Sequence, residues 1–505
     1  MLVIPAGLSY GARMPSVRQC EGCVWHWRVM MYRKTSLSFL VMGLCGTLTL
    51  ACSDSASSSG DDGGVVVDTG PQTPDAGPAA APWAGRYGSA GNEIGLAVAV
   101  DDSGNLYVTG TFSGDLDLGK GQKTSAGSDD VFVASYDNKG ALRWFTPIGG
   151  SGTDKGNDIA VDNKGKVFVT GQFRDTVDFG SGPVKAEGDS DIFVVGLDAA
   201  SGAISWSHTY GGNTNDYGLG VATDGNGGVY VVGEFNKTLT AGSATLTSNG
   251  GLDVFLAKFA DDGTLAWAKG FGGDDDDRGF GIAVDASGNS YITGYYFGNA
   301  ELGGTKQKNR GGADAFVASY DKDGTHRWST SFGGTQNDRG VRAEVHGETL
   351  YVTGRAIGPV DFGAGPVAGG SSHDAHLVSL KAADGSINWG KLFGDSGNDF
   401  GMGLAVDGAG NVYLAGSFNG TVDFGAGALT SKGQGDVMAV AFKPDGTAIW
   451  SKRFGGASND LGNDIAVTPN GNVCLTGYVE GDADVGDDSK PGFGKKDLFL
   501  IQLKP

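Results

Sequence analysis

The chain of 505 residues carries 58 acidic and 37 basic side chains, for a formal net charge of -21, with 91 glycines. That balance excludes nucleic acid as a partner, because phosphate backbones are gripped by clustered Lys and Arg. Five cysteines and six histidines leave little material for disulfide staples or for histidine-based metal chemistry.

Residues 1 to 30 contain Arg13, Arg18 and Arg28 and share no pattern with the rest of the chain; they are expected to be untranslated or absent from the mature protein. Cys20, Cys23 and His26 have the spacing of half a zinc site, but no second half exists in the chain. Residues 31 to 52 have the layout of a bacterial lipoprotein signal: basic Arg33 and Lys34, an apolar stretch from Leu37 to Leu50, then Ala51 and Cys52. The apolar stretch is too short to span a bilayer. Cys52 is the expected lipid attachment site, although Thr49 stands where leucine is usual. Residues 53 to 82 are Ser, Asp, Gly, Pro and Ala, a composition that cannot form a core and reads as a flexible tether.

From residue 83 onward the chain repeats. Trp83, Trp144, Trp206, Trp267, Trp328, Trp389 and Trp450 are spaced 61, 62, 61, 61, 61 and 61 residues apart. In the second copy, Asp158 to Asp162, Val167 to Gly171, Val177 to Gly180 and Asp191 to Val195 are short β-branched and aromatic runs between Gly, Asn and Asp turns. No helical period is sustained for ten residues, so four strands per copy are expected. Turns such as Asp102-Ser-Gly-Asn105 and Ala286-Ser-Gly-Asn289 place glycine where a tight hairpin needs positive φ.

A single four-stranded unit would expose an apolar face on each side, so the copies must stack, and seven of them favour a closed propeller over a solenoid. Small residues fit the crowded axis: Ala99, Ala160, Ala222, Ala283, Ala405 and Ala466, with Gly220, Gly281 and Gly403 two positions earlier. Bulk lies farther out, as Tyr107, Phe168, Tyr230, Tyr291, Tyr351 and Tyr413 and then Phe132, Phe193, Phe255, Phe316 and Phe499. The last copy ends at its third strand, Asp497 to Leu503, while the Trp83 strand is unpaired at the other end. The two are predicted to share one blade and close the ring.

These motifs resemble the bacterial seven-bladed β-propeller repeat (SBBP) family, often found on secreted or surface lipoproteins. The resemblance covers Trp83 to the C-terminus and implies a seven-bladed all-β propeller outside the cytoplasm. The family carries no single agreed activity or catalytic motif.

Repetition also makes rings of acids. One acid precedes each inner strand (Glu93, Asp154, Asp216, Asp277, Asp338, Asp399, Asp460) and another each third strand (Asp130, Asp191, Asp253, Asp314, Asp374, Asp436, Asp497). A cation-concentrating mouth is one reading; turn aspartates accepting main-chain N–H groups is the favoured one. Asp274 to Asp277 and Asp482, Asp484, Asp487 and Asp488 lack the spacing of a calcium loop, so no metal and no cofactor is expected. Cys474 stands at an aromatic position and reads as a buried small hydrophobe.

The fifth copy departs most from the others. Arg342 replaces a small residue, Glu344 the usual alanine, and His346 the turn aspartate. Arg355 and Ala356 come next, then His373 and His376, the latter in place of the core phenylalanine. Arg342, Glu344, His346, Arg355, His373 and His376 are therefore the candidate ligand-binding residues, with drift in one blade, tolerated through compensating pairs, as the favoured alternative. Arg342 and Glu344, two apart on a strand, share a face and are expected to pair; Asp158 and Asp464 occupy the Arg342 position in blades two and seven. No nucleophile elbow, phosphate loop or metal-binding helix is present in the sequence. The expected protein is a monomeric, lipid-anchored binding or scaffold module of the bacterial envelope, at the outer membrane or cell surface, with an unidentified protein or glycan ligand. A polysaccharide-active lyase or hydrolase and a structural matrix component are the alternatives.

Overall fold

The computed structural model describes residues 82–486 and 489–504. The expectations for residues 1 to 30, the signal segment with Cys52, and the tether as far as residue 81 lie outside the described residues. The described chain is all-β, with no helix among those residues.

Seven four-stranded antiparallel blades succeed one another along the chain. Blade one is Glu93–Val100, Leu106–Phe112, Asp130–Tyr136 and Leu142–Ile148. Blade five is Arg339–His346, Thr349–Ile357, His373–Lys381 and Ile387–Phe393. In blade seven the outer strand is Trp83–Tyr87, which pairs with Asp497–Leu503 from Trp83 opposite Gln502 to Tyr87 opposite Leu498. The ring is thus closed by the N-terminal strand completing the C-terminal blade. Arg86 locks the closure: its Nη2 lies 2.6 Å from Asp497 Oδ2, with both side chains 1% exposed.

The repeated tryptophan is inter-blade glue. In five of the seven the indole N–H donates to a main-chain carbonyl in the third-to-outer hairpin of the next blade: Trp144 to Ala199, Trp206 to Asp261, Trp267 to Lys322, Trp328 to Ala382 and Trp389 to Pro444, at 3.0–3.2 Å. The hairpin turns behave as their chemistry requires. Gly104 adopts φ 77°, and Asp101 Oδ1 accepts the N–H groups of Ser103 and Asn105.

Every inner strand contains a register shift at one position, between Gly95 and Ala97 in blade one and between Gly340 and Arg342 in blade five, with equivalents in the other five. This β-bulge brings the residue after it hard against the next blade. A Cβ on Gly281 would lie 2.5 Å from the Val341 carbonyl, and one on Gly403 2.6 Å from the Asp464 Cα. Glycine at these two positions is a packing necessity.

Candidate functional site

Both acid rings are turn chemistry. Asp154 accepts the N–H groups of Gly150 and Arg174, Asp216 those of Gly212 and Asn236, and Asp460 those of Gly456 and Glu480. The second ring does the same, with Asp130 taking Ala126 N–H and Asp191 taking Glu187 N–H. Desolvation pushes Asp216, Asp277 and Asp399 up to about 7 and Asp154, Asp338 and Asp460 to about 6. These carboxylates accept main-chain N–H groups, and Asp314, Asp436 and Asp497 also pair with Arg310, Arg453 and Arg86. Among the described residues no group of three or more His, Cys, Asp or Glu side chains could hold a metal ion.

The axis holds a charged brace. The bulge aims Arg342 of blade five across the channel, where Nη1 lies 2.8 Å from Asp158 Oδ1 of blade two and Nη2 2.9 Å from Asp464 Oδ2 of blade seven. Each aspartate also accepts an N–H freed by the bulge of the following blade: Val221 N–H to Asp158 at 2.8 Å and Val98 N–H to Asp464 at 2.9 Å. The expected Arg342–Glu344 pair is therefore corrected. Arg342 is long enough to cross the axis and finds two carboxylates already oriented by main-chain donors, whereas Glu344 lines the channel without an ion pair among the described residues. Burial, opposed by Arg342 and reinforced by Asp464 and Asp158, pushes the Glu344 carboxyl up to about 8. A cavity of about 360 Å³ surrounds the brace. It is lined mainly by Val98, Ala160, Ala222, Ala283, Ala405 and Ala466, and continues toward Val100, Val406 and Val467 at the hairpin end of the inner strands.

The other end of the inner strands carries the second asymmetric feature. Arg339 and Arg355 are cross-strand partners in blade five. The Arg339 guanidinium lies 4.4 Å from the ring centre of Tyr295 in blade four, and that of Arg355 5.0 Å from the ring centre of Phe400 in blade six. Phe400 packs against His373 at 5.5 Å, and Tyr295 against Phe280 at 5.6 Å. His373 Nδ1 lies 3.1 Å from Asn398 Oδ1. Neither arginine makes an ion pair among the described residues, and the Arg355 Nε is buried with no hydrogen-bond partner. Nearby Arg278 does make an ion pair, with Glu234 at 3.4 Å, though its Nε is likewise buried without a hydrogen-bond partner. Burial, helped by the neighbouring Arg339 charge, holds Arg355 below its ordinary pKa, and burial with both arginines lowers His373.

The six sequence candidates thus separate. Arg355 and His373 share this mouth; Arg342 and Glu344 lie within the channel. His346 is exposed at the opposite end of the inner strand. His376 is fully buried, edge-on to Phe332 at 5.3 Å, with Nε2 2.9 Å from the Arg339 carbonyl oxygen and its pKa pushed down to about 4 by burial. It is a core residue that steadies the strand carrying Arg339. Arg339, Tyr295, Phe400 and Phe280 escaped the sequence reading. The signal was present, because the residue after each ring acid (Ile94, Lys155, Tyr217, Arg278, Arg339, Phe400, Leu461) is the one that varies most in character.

The beta-propeller repeat model of the SBBP family matches residues 143–172 and 388–422. The chain carries this repeat at those two places. Two curated relatives are similar over most of it: the uncharacterized WD repeat-containing protein L264 of Acanthamoeba polyphaga mimivirus, 24% identical over 484 residues, and the regulatory protein FlaEY of Caulobacter vibrioides, 26% identical over 378 residues. These alignments take in 78% and 70% of this chain but only 31% and 39% of the relatives, so the chain spans well under half of either. Among solved structures, the WD40 beta propeller domain of Doa1 covers 84% of this chain and is itself covered to 98%, at 12% identity and a TM-score of 0.42. BamB from Moraxella catarrhalis covers 82% and is covered to 86%, at 14% identity and a TM-score of 0.35.

Proposed function

We propose that the propeller is a binding module whose ligand docks at the mouth formed by blades four, five and six. The observation that carries this is the pair Arg339 and Arg355. Like charges directly opposite on neighbouring strands destabilise a sheet, and in a chain with a 21-charge acidic excess a neutralising acid would be easy to supply. The partly exposed rings of Phe280 and Phe400 flank the pair and make the surface chemically mixed. The lyase or hydrolase alternative needs free carboxylates facing each other. Of the three acids at the axis, Asp158 and Asp464 are committed to Arg342 and to main-chain N–H groups, which leaves Glu344 as a lone carboxyl without a facing partner.

The reading includes a location: an envelope lipoprotein, attached through Cys52 and held off the membrane by residues 53 to 82. Its support is the signal-like order of basic residues, apolar stretch and cysteine. Metabolic labelling with a fatty-acid analogue tests the anchor, since label present equally in wild type and Cys52→Ala, or in neither, would refute it. Docking is tested with an array of glycans and peptides probed with the wild type, the Arg339→Met/Arg355→Met double variant, and an Arg143→Met control, whose arginine hydrogen-bonds Tyr107 and Ser135 in blade one. Signals present in wild type and control but lost in the double variant are expected. Signals retained by the double variant would place binding elsewhere.

A further inference from the structure

We propose that the blade-five mouth recognises a ligand ending in a single carboxylate on a sugar ring, an acidic saccharide terminus. This rests on the reading that the mouth binds at all.

The chemistry is set by what the two arginines lack. Each guanidinium lies over a ring, Arg339 on Tyr295 and Arg355 on Phe400. That contact occupies its face and leaves N–H edges free, the edges that form paired hydrogen bonds to a carboxylate. The acids nearest in sequence are already engaged: Asp338 accepts Gly334 N–H and Ile357 N–H, and Asp374 accepts Gly370 N–H. Arg278 next to them has Glu234, whereas Arg339 and Arg355 have no acid among the described residues and the Arg355 Nε is buried without a partner, which marks a missing acceptor.

The surroundings decide the rest of the ligand. Phe400 and Phe280 are half-buried and offer apolar ring surface beside the arginines, suited to the C–H face of a pyranose. A polyanion suits the place badly. Asp274, Asp275 and Asp276 lie beside Phe297 of blade four and Asp395 in the turn leading to Phe400, and each repels further negative charge that comes within about 8 Å of it at physiological salt. One anionic group between the arginines is attracted; a chain of them meets carboxylates on both sides.

Ligand-observed saturation-transfer NMR on the purified propeller tests this with methyl β-glucuronide, methyl β-glucoside, inorganic phosphate and a short single-stranded oligonucleotide. The glucuronide is expected to bind at least tenfold more tightly than the glucoside. Arg339→Met and Arg355→Met should each abolish it, and Phe400→Leu should weaken it severalfold. Each arginine variant should also melt at the wild-type temperature or higher, since a like-charge pair is relieved; a lower melting temperature would make the pair structural and overturn the proposal. Equal binding of glucoside and glucuronide would remove the carboxylate from the ligand while leaving the mouth a binding site. Tighter binding of phosphate or the oligonucleotide than of the glucuronide would replace the saccharide with another anion. Absence of binding by all four probes, with array signals that depend on the arginines intact, would refute the acidic saccharide and spare the docking site.

Discussion

Arg342→Met is the substitution that most sharply probes the axis. Methionine keeps an unbranched apolar stem but removes the charge that lies 2.8 and 2.9 Å from Asp158 and Asp464. Removing one partner of a buried ion pair costs about 3–5 kcal/mol, because the remaining charge is stranded. The Arg342 side chain is 14% exposed, so the channel is wet and the lower end, about 3 kcal/mol at pH 8, is expected. With roughly 420 residues unfolding at about 2.1 cal/mol/K each, that is a melting shift of about 3 °C. The loss should depend on pH in a definite sense. Burial already pushes Asp464 up to about 6 with the arginine in place and raises Asp158 as well; without the arginine both rise further. An acid whose folded pKa exceeds its unfolded value of about 3.9 binds more protons when folded. Stability is therefore retained at low pH and lost as pH climbs through the folded pKa, by up to about 1.4 kcal/mol per unit per carboxylate. At pH 5 the deficit of the variant should shrink to about 1 kcal/mol or less. Urea titrations followed by tryptophan fluorescence at pH 5 and pH 8 measure both. Adding Asp158→Asn and Asp464→Asn should recover most of the loss, since an amide oxygen still accepts the Val221 and Val98 N–H groups. A deficit equal at the two pH values, or no recovery in the triple variant, would refute the brace.

The ring's construction sets three further outcomes. Deleting residues 83 to 90 should lower the denaturation midpoint more than any single substitution in a middle blade, and Arg86→Met alone should cost about 3–5 kcal/mol by stranding Asp497; an unchanged midpoint would remove the clasp. Trp328→Phe, which keeps the ring but loses the bond to Ala382, should cost about 1–3 kcal/mol through an unsatisfied buried carbonyl, and calorimetry giving a change below about 0.5 would contradict the inter-blade role of the indole. Cys474 is fully buried, and desolvation pushes its thiol up to about 12; a maleimide should leave it unmodified in buffer at pH 7.5 and react in 6 M guanidinium, whereas rapid labelling of the folded protein would place it at the surface.

The fold was legible because each blade repeats the same local decisions. A period near 61, tryptophan at a fixed place and glycine at the hairpins leave one closed arrangement, and even the clasp came from counting strands. The brace was half legible. Arg342, Asp158 and Asp464 were recognisable as equivalent positions, but a pairing between blades two, five and seven depends on a bulge that turns those side chains into the channel, and no spacing within one copy reveals which blades face each other. Glu344 was therefore given the wrong role. The mouth was the least legible, because Arg355 and His373 stood out only as departures within their own copy. Their partners Tyr295, Arg339 and Phe400 come from three blades and vary around the ring, so a reading that sought what the copies share passed over them. In a repeat protein the constant positions build the ring, and the variable ones beside them distinguish one mouth from another.

Crystals of the propeller soaked with methyl β-glucuronide test the central claim most directly, that the asymmetry of blade five builds a binding mouth. Difference density for the carboxylate between the Arg339 and Arg355 guanidinium groups, with the sugar ring against Phe400 or Phe280, is the expected result. Ordered ligand in the axial cavity near Glu344, or at the hairpin end near His346, with an empty arginine pair would contradict it.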